Sequence, residues 1–169
     1  AWSKSSDEDA PLQARNLLDK IISLYSDGAL DKAPSTITYS SVIDTYAAQG
    51  DAEGACNILQ MMEDDFKSGN NNAKPDMRTY STLINAWAKS GIADSPSEAE
   101  KILKKLIDLH SKGELKQGPT IIAYNSVMDA YANKGDTKGA NGILKMMKSD
   151  SKNAKIDMIS YSTLIKAWA

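Results

Sequence analysis

An all-α chain built from repeated helix-turn-helix units is predicted by three observations. The stretch TYSSVIDTYAAQGD at residues 38–51 returns as AYNSVMDAYANKGD at 123–136, with looser copies, TYSTLINAWAKSG from Thr79 and SYSTLIKAWA from Ser160. The tyrosines at equivalent points, Tyr39, Tyr80, Tyr124 and Tyr161, lie 41, 44 and 37 residues apart, a period typical of solenoids of small supersecondary units. Within a copy, Tyr39, Val42, Ile43, Tyr46 and Ala47 fall at i, i+3, i+4, i+7 and i+8, one face of a helix.

Taken in order, residues 1–33 read as the end of one helix, here termed A, and a full second helix, B. The segment AWSKSSDEDAPLQA (1–14) aligns without gaps on AWAKSGIADSPSEA (86–99), matching Trp2 to Trp87, Pro11 to Pro96 and Ala14 to Ala99. Residues 34–74 form a whole repeat. Its helix A ends at Gly50, where a left-handed residue is wanted, Asp51 caps helix B, and Ala55, Ile58, Leu59 and Met62 carry the second apolar stripe. Residues 75–118 repeat the plan around Gly91, with a turn lengthened by about three residues and Pro96 in the first turn of helix B.

Residues 119–155 return to the first spacing with Gly135, Asp136, Ala140, Ile143, Leu144 and Met147, and 156–169 supply one more helix A. All five pieces are expected to form a single solenoid domain. Both ends fall inside a repeat, so the chain is expected to be an excerpt of a longer array. From helix B to the next boundary, Ile21 to Pro34, Met62 to Pro75 and Leu106 to Pro119 each span 13 residues, against nine from Met147 to Ile156. That constancy predicts a long helix B and a tight turn, with residues 70–72 the most flexible point.

The bulk chemistry excludes several classes. A chain of 169 residues with 41% hydrophobic and 25% charged residues has material for a sizeable core, and no apolar run approaches the roughly 20 residues of a membrane-spanning helix. Cys56 is the single cysteine, so neither an internal disulfide nor a thiolate cluster is available, which fits a reducing compartment. His110 has no second His or Cys nearby to make a metal site and reads as surface. Asp44 and Asp129 recur on helix A, but Asn85 and Lys166 hold that slot elsewhere, so no acid–base pair is assembled. No catalytic constellation, cofactor or small-molecule substrate is indicated.

The pattern of Tyr, Ser or Asn, any residue, Val or Leu, Ile or Met, Asp or Asn, then Tyr or Trp, Ala and a closing Gly, followed by an Ala-rich helix, resembles the pentatricopeptide repeat. YSSVIDTYAAQGD, YSTLINAWAKSG and YNSVMDAYANKGD carry it, and the resemblance covers essentially the whole chain. The tetratricopeptide repeat is the near rival, but its first helix wants an early Trp and a Leu-Gly pair, which Ser40-Ser41-Val42-Ile43 lacks.

The resemblance implies a right-handed, tetratricopeptide-like superhelix that binds single-stranded RNA, about one base per repeat. It implies a mitochondrial or plastid setting and a part in RNA processing, stability, editing or translation. It also implies that the residue after each Tyr reads a base edge together with the residue closing the repeat. These pairs are Ser40 with Asp76, Ser81 with Thr120, and Asn125 with Asp157, while Ser162 is left single. Ile37, Arg78, Ile122 and Ile159 would flank the bases, and Lys4 and Lys89 would meet phosphate. In the family's code Asn with Asp resembles a uracil reader and Ser with Asp a guanine reader, whereas Ser81 with Thr120 matches no common pair.

Plainer readings stand beside these. Asp76 and Asp157 each precede a helix, where a carboxylate cap accounts for them without RNA and is worth about 1 kcal/mol. Tyr39, Tyr80, Tyr124 and Tyr161, with Tyr46, Trp87, Tyr131 and Trp168 seven residues on, sit in the core stripe, so packing is expected rather than base stacking. The net charge of −2 and nearly neutral helices A give little phosphate attraction. A helical scaffold holding a protein partner in the same groove is therefore the alternative function. A catalytic domain elsewhere in a longer parent is a further one.

Overall fold

The computed structural model describes residues 9–150 and 154–168. Among them the chain forms α1 (Ala10–Ser26), α2 (Thr36–Ala48), α3 (Ala52–Lys67), α4 (Met77–Ser90), α5 (Ser95–Ser111), α6 (Ile121–Asn133), α7 (Thr137–Ser149) and α8 (Met158–Lys166), with a 3-10 turn at Asn71–Ala73. This is the all-α helical-repeat class, with A and B helices alternating in the expected order. The residues cluster into two compact units, 1–82 and 83–169, whose division falls inside α4.

Local chemistry explains where the helices begin and end. Asp51 accepts from Gly54 N at 2.7 Å and Asp136 from Gly139 N at 2.8 Å, satisfying orphan N–H groups at the starts of α3 and α7. Ser35 and Thr38 make a reciprocal capping box on α2. Gly50 and Gly135, at φ 77° and 68°, reverse the chain between A and B helices in the left-handed conformation that a side chain resists.

In the first unit α2 packs against both α1 and α3. Tyr39, Val42 and Ile43 meet a face of α3 that includes Ala55, Ile58 and Met62, all buried. Each fully buried Ile or Met contributes about 1.5–3 kcal/mol. In the second unit α6 packs on α5, α7 and α8, burying Tyr124, Val127 and Met128 with Leu103, Ile143 and Met147.

A glycine near the start of α3 and of α7 lets a ring approach closely. A Cβ on Gly54 would lie 2.3 Å from Tyr46, and one on Gly139 would lie 2.2 Å from Tyr131. The six aromatic core positions Tyr39, Tyr46, Tyr80, Trp87, Tyr124 and Tyr131 are buried or half-buried, but Tyr161 and Trp168 are exposed. Their counterparts on α2 and α6 lie beneath the next B helix, and among the described residues α8 has none after it.

The extra length of the 75–118 repeat is not confined to the turn. Between Tyr80 and Ala99 the three additional residues are shared out, one lengthening α4 before its turn, one entering the turn, and one extending α5 at its start. The B helices α1, α3 and α5 are 17, 16 and 17 residues long, against 13 for α7, which accounts for the shorter connection after Met147.

The 70–72 run differs from expectation. Asn70 Nδ2 donates to Pro34 O at 2.8 Å and to Asp65 Oδ2 at 2.7 Å, and Thr36 Oγ1 donates to Lys74 O at 2.7 Å. Asparagine here ties the turn down because its amide reaches backbone and carboxylate acceptors together. His110 is likewise half-buried rather than solvated, its Nδ1 3.0 Å from Leu115 O.

Candidate nucleic-acid interface

In the first unit the first turn of α2 presents Ile37 and Ser40 on one helix face, three residues apart. Ile37 is 78% exposed, an isoleucine that no core claims. Ser40 Oγ lies 3.2 Å from Thr79 Oγ1, in the first turn of α4. Thr79 in turn donates to Asp76 Oδ1 at 2.9 Å, and that same oxygen accepts from Thr79 N at 2.9 Å. Ser40 and Asp76 are therefore joined through one hydroxyl. Arg78 is exposed and pairs with Asp44 Oδ2 at 3.6 Å, while Thr82 Oγ1 donates to Asp44 Oδ1 at 3.3 Å.

The second unit repeats the arrangement with different groups. Ile122 on α6 is 73% exposed and Ile159 on α8 is 62% exposed. Ser160 Oγ lies 2.9 Å from Asn125 Oδ1 and 3.0 Å from Asp157 Oδ1, and Ser160 N donates to Asp157 Oδ1 at 2.9 Å. The N–H of Ser160 leads the groups that hold the Asp157 carboxyl below the usual aspartate range, joined by hydrogen bonds from the Ser160 hydroxyl and the Asn125 amide against a smaller desolvation effect. Here Lys166 Nζ reaches Asp129 Oδ1 at 2.7 Å, so Asp129, like Asp44, is paired with a cation on a later A helix.

Both aspartates thus cap a helix and also sit beside their expected partners. Ser81 and Thr120 belong to different units. Ser81 Oγ lies 3.2 Å from Met77 Sδ, and Thr120 caps α6 by accepting from Ala123 N at 3.3 Å. Ser162 is exposed on α8, and Lys89 is exposed in the last turn of α4, where its charge complements the helix C-terminus. Lys4 lies outside the described residues.

Sequence reasoning passed over Thr79 and Ser160. The signal was the hydroxyl residue just before each Tyr, which recurs as Thr38, Thr79 and Ser160 and is replaced only by Ala123. Beneath the polar pairs, Tyr39 OH donates to Asp65 Oδ2 at 2.9 Å and Tyr124 OH to Asp150 Oδ2 at 2.8 Å. Burial first, and then the adjacent carboxylate, raises the pKa of both phenols far above the usual tyrosine range. These rings are structural. Among the described residues no three His, Cys, Asp or Glu side chains gather to hold a metal ion, and no helix is long and apolar enough to cross a membrane.

The profile of the PPR repeat family matches residues 34–89 and 119–169, more than half of the chain. No curated protein matches. Among solved structures the chain is similar to pentatricopeptide repeat protein PPR10, in two crystal structures with an 18-nucleotide psaJ RNA element, one of a form carrying three cysteine-to-serine substitutions. Each likeness has 22% identity and a TM-score of 0.42, covering 99% of this chain and 26% of that one. The chain thus spans about a quarter of the length of the solved chains it resembles. With its helix pairs, tyrosine register and family profile in agreement, the chain belongs to the pentatricopeptide repeat family.

Proposed function

We propose that the chain binds single-stranded RNA, one base per repeat. Base faces lie against Ile37 and Arg78 in the first unit and against Ile122 and Ile159 in the second, while Ser40 with Asp76 and Asn125 with Asp157 meet the base edges. One observation carries this reading: isoleucines more than 60% exposed stand one helical turn or less from hydrogen-bonded polar pairs, at positions where core packing explains neither. An exposed apolar side chain beside short donors and acceptors is what a flat, edge-polar base needs. The repeats are taken as 34–74, 75–118 and 119–155. Lys89 and Lys4 would supply phosphate contacts. Family membership favours a mitochondrial or plastid setting, in RNA processing, stability, editing or translation.

The test exploits the exposure of the isoleucines. Replacing Ile37 or Ile122 with Ala removes no buried contact, so melting temperature should stay within about a degree while RNA affinity falls roughly five- to tenfold per site. Affinities are compared at one fixed salt concentration. No RNA binding even at low salt would overturn the proposal. The scaffold reading would then stand, favoured by the acidic first unit: residues 1–82 carry 13 Asp and Glu against seven Lys and Arg.

A further inference from the structure

What the polar pair of the first unit offers a base is set by a single hydroxyl. A hydroxyl has one proton, and a carboxylate only accepts. Thr79 gives its proton to Asp76 Oδ1, so toward Ser40 it is an acceptor, and Ser40 must spend its own proton on Thr79 Oγ1. What Ser40 keeps is lone pairs. In the second unit the one proton of Ser160 has two acceptors within reach, Asn125 Oδ1 at 2.9 Å and Asp157 Oδ1 at 3.0 Å, so it does not single out one of them.

We infer that the hydroxyl of Thr79 is a specificity-determining positioning group, which makes Ser40 with Asp76 an acceptor–acceptor pair. The inference rests on the proposed RNA reading and assigns its polarity. Two adjacent acceptors fit the N1–H and N2–H donors of guanine and oppose the N1 acceptor of adenine. Ala123 holds the corresponding position before Tyr124 and has no hydroxyl.

The experiment measures binding of the protein to single-stranded RNAs that differ at one base at a time, beside the melting temperature of each variant. Thr79→Val should free the Ser40 proton and reduce the preference for guanine over adenine by about tenfold, and Thr79→Ser should restore it. If the variants lose affinity for every RNA alike, in step with a lower melting temperature, the Thr79 hydroxyl is a helix cap only and the inference fails. Unchanged base ratios in the variants would also overturn it. A wild-type protein with no base preference at either position would instead sink the proposed reading, and this inference with it.

Discussion

The hairpins α2–α3 and α6–α7 share one frame and carry different surfaces. In both, a Tyr hydroxyl reaches a carboxylate 26 residues on, an Asp caps the B helix, and a Gly sits under the second aromatic ring. Outside the frame the chemistry changes sign: Glu53 and Gln60 of α3 stand where α7 has Lys138 and Lys145, all four exposed. Residues 1–82 total −6, from 13 acidic and seven basic residues, and residues 83–169 total +4, from nine and 13. Positions that touch the neighbouring helix are held by packing, whereas positions that touch water vary at a cost of a few tenths of a kcal/mol.

The comparison breaks first at its buried rings. Tyr39→Ala and Tyr124→Ala should each cost about 3–5 kcal/mol in chemical denaturation, since both rings are almost wholly buried. A difference of more than about 2 kcal/mol between them would show that the frames are not equivalent.

The glycines under the rings sharpen it. An alanine gains about 1 kcal/mol of helix propensity but must displace an aromatic ring, which costs about 1–3 kcal/mol in a packed site. Tyr131 OH is held by Glu100 and Tyr46 stands in a different setting beside Arg15, so Gly139→Ala should lower the melting temperature more than Gly54→Ala. Equal shifts would mean that both rings swing aside freely.

At alkaline pH the hairpins should behave alike. Folded Tyr39 and Tyr124 hold their protons well beyond the value of about 10 at which unfolded tyrosine ionises. The unfolded chain therefore binds fewer protons above pH ~10, and stability present below that pH is lost as pH rises. Tyr39→Phe combined with Tyr124→Phe should flatten this loss in denaturation curves.

At acid pH a smaller difference is expected. Hydrogen bonds led by Ser160 N hold the folded Asp157 below its unfolded value of about 3.9, so its contribution is present above that pH and lost as pH falls through the folded value. Wild type should exceed Asp157→Asn in melting temperature near neutrality and converge with it toward pH 2. A gap that persists unchanged at low pH would assign the effect to shape rather than charge.

The local rules were legible because they are local. Helix bounds, the glycine reversals after α2 and α6, the caps at Asp51 and Asp136 and the long B helices all follow from residue type and the 3.6-residue period, which act within a few positions of the chain. Family membership was legible for a related reason, since the tyrosine register repeats in plain sequence. What the sequence could not assign was any interaction whose partner is remote in the chain. Asn70 read as the loosest point because the Pro34 carbonyl that it binds is 36 residues away. Thr79 and Ser160 read as ordinary helix residues because their second partners, Ser40 and Asn125, lie 39 and 35 residues back. Periodicity told that Ser40 and Asp76 occupy matched positions; only the packing of α2 against the start of α4 decided that a single hydroxyl would stand between them, and a hydroxyl's one proton then decides which of the two may donate.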